Sequence, residues 1–212
     1  MQRPSFIARQ AGRPSGWFGR LLLRVMARET ARFNREVLEV VAVVDGEHVL
    51  EIGFGHGTTL RDAATRAPGA RLAGIDIAVD AQRVAARRCR ALIDAGRVEL
   101  RTGDAAALPW SDGTFDAVYT VHTIYFWPDP ATQLAEVRRV LRPGGRLILG
   151  MRERTEAGVA RFPASVYRFY SPGEVIDLLH SAGFRSLETR AAASGDELRI
   201  VSAVAAVASE RG

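Results

Sequence analysis

The residues best suited to chemistry sit in one short run, Glu51-Ile52-Gly53-Phe54-Gly55-His56-Gly57-Thr58-Thr59, with three glycines at alternate positions behind a carboxylate. Glycines so spaced leave the backbone bare and open to positive φ, so a bulky ligand can lie against the loop. The Glu51 carboxylate would repel a pyrophosphate and attract a ligand carrying an ammonium group. Further along, Asp76 closes Gly74-Ile75-Asp76, and Asp104 stands in Gly103-Asp104-Ala105. A carboxylate at the first place can accept both hydroxyls of a ribose. One at the second can receive the exocyclic amine of a purine, with Ala105 supplying a backbone amide. The three acidic positions therefore match an amino acid, a ribose and an adenine.

Two other glycine-loop chemistries fail on spacing. The dinucleotide fingerprint Gly-x-Gly-x-x-Gly would need its third glycine at Thr58 or at Leu60. A phosphate loop needs Gly-Lys-Ser/Thr, and the chain has no lysine.

The elements that must hold these residues read as alternating strands and helices from residue 47 onward. His48–Ile52 reads as a buried strand. Arg71–Asp76 is the next, followed by a helix to about Ala95 that Gly96 stops. Val98–Arg101 and Phe115–Val121 are the third and fourth strands. A helix then starts with Asp129 as cap and Pro130 in first position. Leu134, Val137, Val140 and Leu141 form its core face, and Pro143-Gly144-Gly145 ends it before a strand at Arg146–Gly150. Residues 151–170 show no clear period. Ser171 and Glu174 make a capping box for a helix that Gly183 closes. Strands near 184–191 and 197–207, joined by Ser194-Gly195-Asp196, predict a terminal hairpin. The early alternation predicts a parallel sheet with helices on both faces.

Ahead of this domain (46–212), residues 1–45 read as a helical extension or lid. The first sixteen residues look irregular. From Trp17 to Val44 apolar residues recur at helical spacing, first as Phe18, Leu21, Leu22, Val25 and Met26, then as Phe33, Val37, Val40, Val41 and Val44.

At 212 residues and 47% hydrophobic, the chain suits one folded domain with an extension. No apolar run reaches membrane-span length, and the N-terminus lacks a secretory signal, so a cytoplasmic protein is expected. Cys89, the single cysteine, excludes an internal disulfide and reads as a small half-buried side chain. No constellation of His, Cys, Asp and Glu reads as a metal site. The net charge of +5 permits an acidic partner without requiring one.

Taken in order, these segments resemble a known family. Val49 to Leu60 resembles the first motif of class I S-adenosylmethionine-dependent methyltransferases, Glu-x-Gly-x-Gly-x-Gly. The positions of Asp76 and Asp104 resemble its second and third cofactor motifs. Leu108-Pro109-Trp110-Ser111-Asp112-Gly113-Thr114-Phe115-Asp116 is similar to the family's approach to the fourth strand. Leu141-Arg142-Pro143-Gly144-Gly145 resembles its turn after the following helix, with Arg where Lys is common. The resemblance covers about residues 47–152. It implies a Rossmann-like α/β fold, strand order 3-2-1-4-5-7-6, with an antiparallel C-terminal hairpin. It also implies S-adenosyl-L-methionine as cofactor, S-adenosyl-L-homocysteine as product, and cofactor contacts from Glu51, Gly53, Gly55, Gly57, Asp76, Ile77, Asp104, Ala105 and Thr120.

On the acceptor side the resemblance points to Val121-His122-Thr123-Ile124-Tyr125-Phe126-Trp127, after the fourth strand. His122 is the candidate general base, since an unperturbed histidine titrates near neutrality. His56, Tyr125, Trp127 and Tyr167 are candidate substrate contacts, and the cluster of Tyr125, Phe126 and Trp127, with Trp110, could wall a flat or apolar acceptor. Residues 151–170, with Arg152, Arg154, Arg161 and Arg168, could form a lid over an anionic substrate; His48 and His180 read as structural. The expected reaction is in-line methyl transfer to a small-molecule acceptor, as in enzymes of quinone and secondary-metabolite pathways. Two alternatives stand beside it: a phospholipid N-methyltransferase using Trp17–Arg35 as an interfacial helix, and a non-catalytic S-adenosylmethionine-binding protein. Nucleic-acid methylation is disfavoured, because Thr120-Val121-His122-Thr123 departs from the Asp/Asn-Pro-Pro-aromatic pattern of base-amine enzymes.

Overall fold

Seven strands form one sheet in the order β3-β2-β1-β4-β5-β7-β6 in a computed structural model, which describes residues 28–206 together with residues 12, 16 and 19. The strands are β1 (His48–Ile52), β2 (Arg71–Asp76), β3 (Val98–Thr102), β4 (Phe115–Val121), β5 (Leu141–Arg152), β6 (Phe184–Ala192) and β7 (Gly195–Ala205). Strands β3, β2, β1, β4 and β5 pair in parallel, and β7 pairs antiparallel with both β5 and β6. The predicted order and the predicted terminal hairpin are both present.

The helices are α1 (Ala31–Val41), α2 (Thr58–Arg66), α3 (Val79–Arg88), α4 (Arg90–Asp94), α5 (Pro130–Val140), α6 (Glu156–Arg161) and α7 (Pro172–Ser181). Because successive strand residues face opposite sides, the sheet divides the interior in two. Leu50, Val118, Leu147 and Leu149 face α5 and α7. Val49, Tyr119 and Ile148 face α1, α2 and α3. Each fully buried Leu, Ile, Val or Phe contributes about 1.5–3 kcal/mol.

Local signals fixed several boundaries. Asp129 accepts from Ala131 N at the start of α5, with Pro130 in its first turn. Ser171 and Glu174 form the reciprocal capping box of α7. On α1, Phe33, Val37, Leu38 and Val41 are buried against the sheet. The guanidinium of Arg146 donates to Val41 O at 2.8 Å and Ala42 O at 3.3 Å, and pairs with Glu47 at 2.6 Å, satisfying carbonyls that end a helix unpaired.

Other expectations need correction. Helix α1 stops at Val41, where Ala42 turns left-handed (φ 47°), and Val44 is exposed rather than core. The helix after β2 breaks at Cys89, and that side chain is fully buried rather than half-buried, because its thiol packs under the glycine loop and donates to Gly57 O at 3.5 Å. Pro143-Gly144-Gly145 does not end α5. The helix ends at Val140; Leu141 already pairs with Phe115, and the Pro-Gly-Gly run lies in an irregularity before Arg146 meets Ala117. Residues 151–170 include the end of β5 and α6. The stripe of Phe18, Leu21, Leu22, Val25 and Met26, and with it the core of the interfacial-helix reading, lies outside the described residues, as does Val207. Among the described residues no helix is long and apolar enough to cross a membrane.

Candidate active site

A cavity of about 230 Å³ opens at the carboxyl ends of β1, β2 and β4. This is where parallel α/β sheets bind ligands, beside the change of direction in strand order. Its floor is the turn from β1 into α2. Gly53 and Gly57 take φ values of 76° and 72° there. A Cβ on Gly53 would run into the Thr123 side chain, and one on Gly57 would lie 2.7 Å from Ala85 Cβ. Only glycine fits either place.

Carboxylates hold the loop from one side. Asp76 accepts from Gly55 N at 2.8 Å through one oxygen and from Ala78 N at 2.9 Å through the other. Burial raises its pKa, and the two amides partly offset that rise. Arg88 holds the other side, donating to His56 O at 2.6 Å and Thr58 Oγ1 at 2.7 Å. Glu51 lies deeper, 3% exposed, and accepts from Tyr119 Oη at 2.9 Å. Desolvation pushes its carboxyl up to about 8, against the pull of Tyr119. A buried carboxylate of this kind gains most from a ligand that brings a positive charge. Asp104 is exposed at the rim, and its Oδ1 accepts from Ala106 N at 2.9 Å.

Most of the predicted residues come together here. Glu51, Gly53, Gly55, Asp76, Ile77, Asp104 and Ala105 all line the cavity, as do His56, His122 and Trp127. Gly57 supports the loop from beneath. Thr120 is a correction: it is 1% exposed, outside the lining, and its hydroxyl is spent on Ile52 O at 2.9 Å and on Thr123. Thr123 lines the cavity in its stead. Tyr125 and Tyr167 are also corrected. Both are buried in an aromatic cluster with Phe162 and Phe169, Tyr167 and Phe169 stacking at 5.6 Å, and neither lines the cavity. Trp110 packs edge-on to Phe115 and under Arg101, outside the cavity lining. Three arginines of the expected anion-binding lid have partners: Arg152 pairs with Glu197, Arg154 with Glu174, and Arg168 lies over Tyr170. The side chain of Arg161 lies outside the described residues. His48 packs on Phe115 at 4.5 Å, and His180 is exposed at the end of α7.

Sequence reasoning missed Asn34 and Phe54, which complete the wall with Phe126. Phe126 was visible as part of an aromatic run. Asn34 carried no signal, since it reaches the site only through the docking of α1. Its Nδ2 donates to Thr30 and Thr59 hydroxyls at 3.3 and 3.4 Å, and its Oδ1 is buried without a partner.

The two cavity histidines are both held neutral. Burial lowers His56 to about 4, and its Nδ1 accepts from Thr58 N at 3.2 Å. Burial, with Arg152 adding, lowers His122 to about 4. His122 follows β4 with a left-handed backbone (φ 59°), its N–H bonded to Gly150 O at 2.8 Å and its ring 5.1 Å from that of Phe33.

Fold and site together define a nucleoside-binding doubly wound domain, and comparison with known proteins agrees. Residues 50–149 match the family model described as "Methyltransferase domain". An O-methyltransferase of Aspergillus nomiae is 30% identical over 168 residues, covering 75% of this chain and 73% of the relative. A ubiquinone/menaquinone biosynthesis C-methyltransferase of Paracoccus denitrificans is 37% identical over 116 residues, 53% of this chain and 45% of that one. The solved structure of the [4+2]-cyclase SpnF superposes with a TM-score of 0.73 at 22% identity, over 83% of this chain and 80% of that one, a likeness that shows the fold alone. The chain belongs to the class I S-adenosylmethionine-dependent methyltransferase family. It spans 35%, 44% and 42% of the length of three further curated relatives.

Proposed function

We propose that the protein transfers a methyl group from S-adenosylmethionine to a small-molecule acceptor. One observation carries this reading: a single cavity joins a carboxylate-flanked glycine floor to an aromatic wall that contains His122. The residues present fit the cofactor. Glu51 is a buried carboxylate in want of a cation, and Asn34 Oδ1 is a buried acceptor in want of a donor. Both would serve its ammonium group, Asp76 its ribose, and Asp104 with the Ala105 amide its base. When bound, S-adenosylmethionine supplies a methyl group already activated on a sulfonium. The chain's own residues then orient and desolvate. Phe126 and Trp127 close the acceptor end against water, and the burial of these walls makes proximity the main source of rate. The O- and C-methyltransferase names of the relatives support a carbon or oxygen acceptor.

The test is calorimetry with S-adenosylmethionine and S-adenosylhomocysteine, followed by release of the latter in the presence of a panel of phenols and quinols. Saturable one-to-one binding and acceptor-dependent turnover are expected. Absence of binding to either compound would end the reading; binding without turnover on any acceptor would favour a non-catalytic role.

A further inference from the structure

His122 does not stand alone. Its Nδ1 lies 3.0 Å from Tyr125 Oη, and that oxygen also receives the backbone N–H of Arg152. Tyr125 is 5% exposed, and among the described residues these are its two polar partners. Its own proton therefore has one acceptor to go to, Nδ1 of His122. The opposite arrangement, with Nδ1–H donating to Tyr125, would leave a buried hydroxyl proton unpaired, which is costly. A neutral imidazole whose Nδ1 accepts carries its proton on Nε2. The Tyr125 bond and the Phe33 ring at 5.1 Å hold the imidazole, and His122 lines the cavity, so Nε2 is the nitrogen left for whatever occupies it.

From this geometry we infer that Tyr125 holds His122 as the Nε2–H tautomer, so that His122 presents a hydrogen-bond donor, and the acceptor it serves is the oxygen anion of an acidic hydroxyl, a phenolate or enolate. The sequence points to a base at this position; the hydrogen-bond chain reverses the role. Nε2 already bears a proton and has no lone pair to take another, while protonation at Nδ1 would displace the Tyr125 bond and make an imidazolium, which burial beside Arg152 disfavours. The inference rests on the methyl-transfer reading. In the step itself the anionic oxygen attacks the sulfonium methyl, the C–O bond forms and the S–C bond breaks with its electron pair going to sulfur. Both products are neutral, and no proton needs a base. Tyr125 is thus a positioning residue, acting through His122.

The test uses ring-15N-histidine protein and long-range 1H–15N correlation, first without cofactor. His122 is expected to show a pyridine-type Nδ1 and a pyrrole-type Nε2, and Tyr125→Phe to lose that preference. An Nδ1–H pattern in the wild type overturns the inference. S-adenosylhomocysteine is then titrated into the same sample, followed by 4-nitrophenolate or its neutral methyl ether. The phenolate is expected to move the Nε2–H resonance and the ether to leave it in place. An equal response to both, or none, overturns the acceptor class. Failure to bind S-adenosylhomocysteine at all overturns the methyl-transfer reading and the acceptor class with it, while the tautomer is read independently. As a catalytic check, His122→Gln keeps a donor but no base. It should retain at least a tenth of wild-type turnover on the phenolate where His122→Ala falls about a hundredfold; equal loss in both contradicts the donor role.

Discussion

Replacing Glu51 with Gln tests the electrostatics of the cavity floor. The folded protein holds the Glu51 carboxyl at about 8, mainly through desolvation, against an ordinary 4.5. Between those values the folded state keeps a proton that the unfolded chain has released, so stability falls as pH rises through that window. A displacement of about 3.5 units at 1.36 kcal/mol each puts the whole effect on the order of 5 kcal/mol, with about 4 of it between pH 5 and pH 9. Glutamine has no proton to lose and can still accept from Tyr119. The cofactor-free variant should therefore gain stability over the wild type steadily as pH rises, other groups cancelling in the difference. Urea unfolding at intervals across this range measures it. Adding S-adenosylhomocysteine should reverse the order, because an ammonium group beside Glu51 repays the ionisation. By the same logic the wild type should release about one proton per ligand near pH 7 and the variant none, read by calorimetry in buffers of different ionisation enthalpy. Parallel stability curves, or equal proton release, would refute the reasoning.

Three further substitutions separate binding from framework. Gly53→Ala forces a side chain into left-handed backbone, at a cost of about 1–3 kcal/mol, and into Thr123; it should weaken S-adenosylhomocysteine at least tenfold, with partial recovery on adding Thr123→Ser. Thr120→Val removes a buried hydroxyl bond to Ile52 O. It should cost about 1–2 kcal/mol in chemical denaturation and leave cofactor affinity within about twofold. Arg146→Ala unties Val41, Ala42 and Glu47. It should cost about 1–2 kcal/mol at neutral pH, less than a buried charged bond because the group is partly exposed. Arg146 holds the Glu47 carboxyl below its ordinary value. The Glu47 part of this stabilisation is therefore present above pH 4.5 and vanishes on acidification through the folded value, so in acid the difference should narrow to what the bonds to Val41 O and Ala42 O leave.

What the sequence could reveal divides along the range of the interactions. Asp129 and Ser171 announce their helices because a cap acts within three residues. The glycine loop and its carboxylates were legible because strand ends in a parallel sheet must converge. The burial of Cys89 and Thr120 is not legible locally, because it depends on what the fold brings against them, the glycine loop at Gly57 for one and the neighbouring strand at Ile52 for the other. The Pro-Gly-Gly run looked like a helix stop, since nothing local shows that Leu141 is already claimed by Phe115. Residue type alone points Tyr125 and Tyr167 toward an acceptor, but their rings pack on each other and on Phe169. Asn34 could not be found at all without knowing where α1 docks.

That docking has a consequence of its own. Thr30 precedes, and Asn34 lies in the first turn of, a helix outside the strand–helix alternation, yet they form one wall of the crevice. Occupancy of the crevice and seating of the helix are therefore reciprocally coupled: whatever fills the space clamps the helix down, and whatever peels the helix away floods the ligand with water. Variation in those few residues would change the crevice wall, and with it the partner that Asn34 offers, while the sheet and the carboxylates at its strand ends stay as they are.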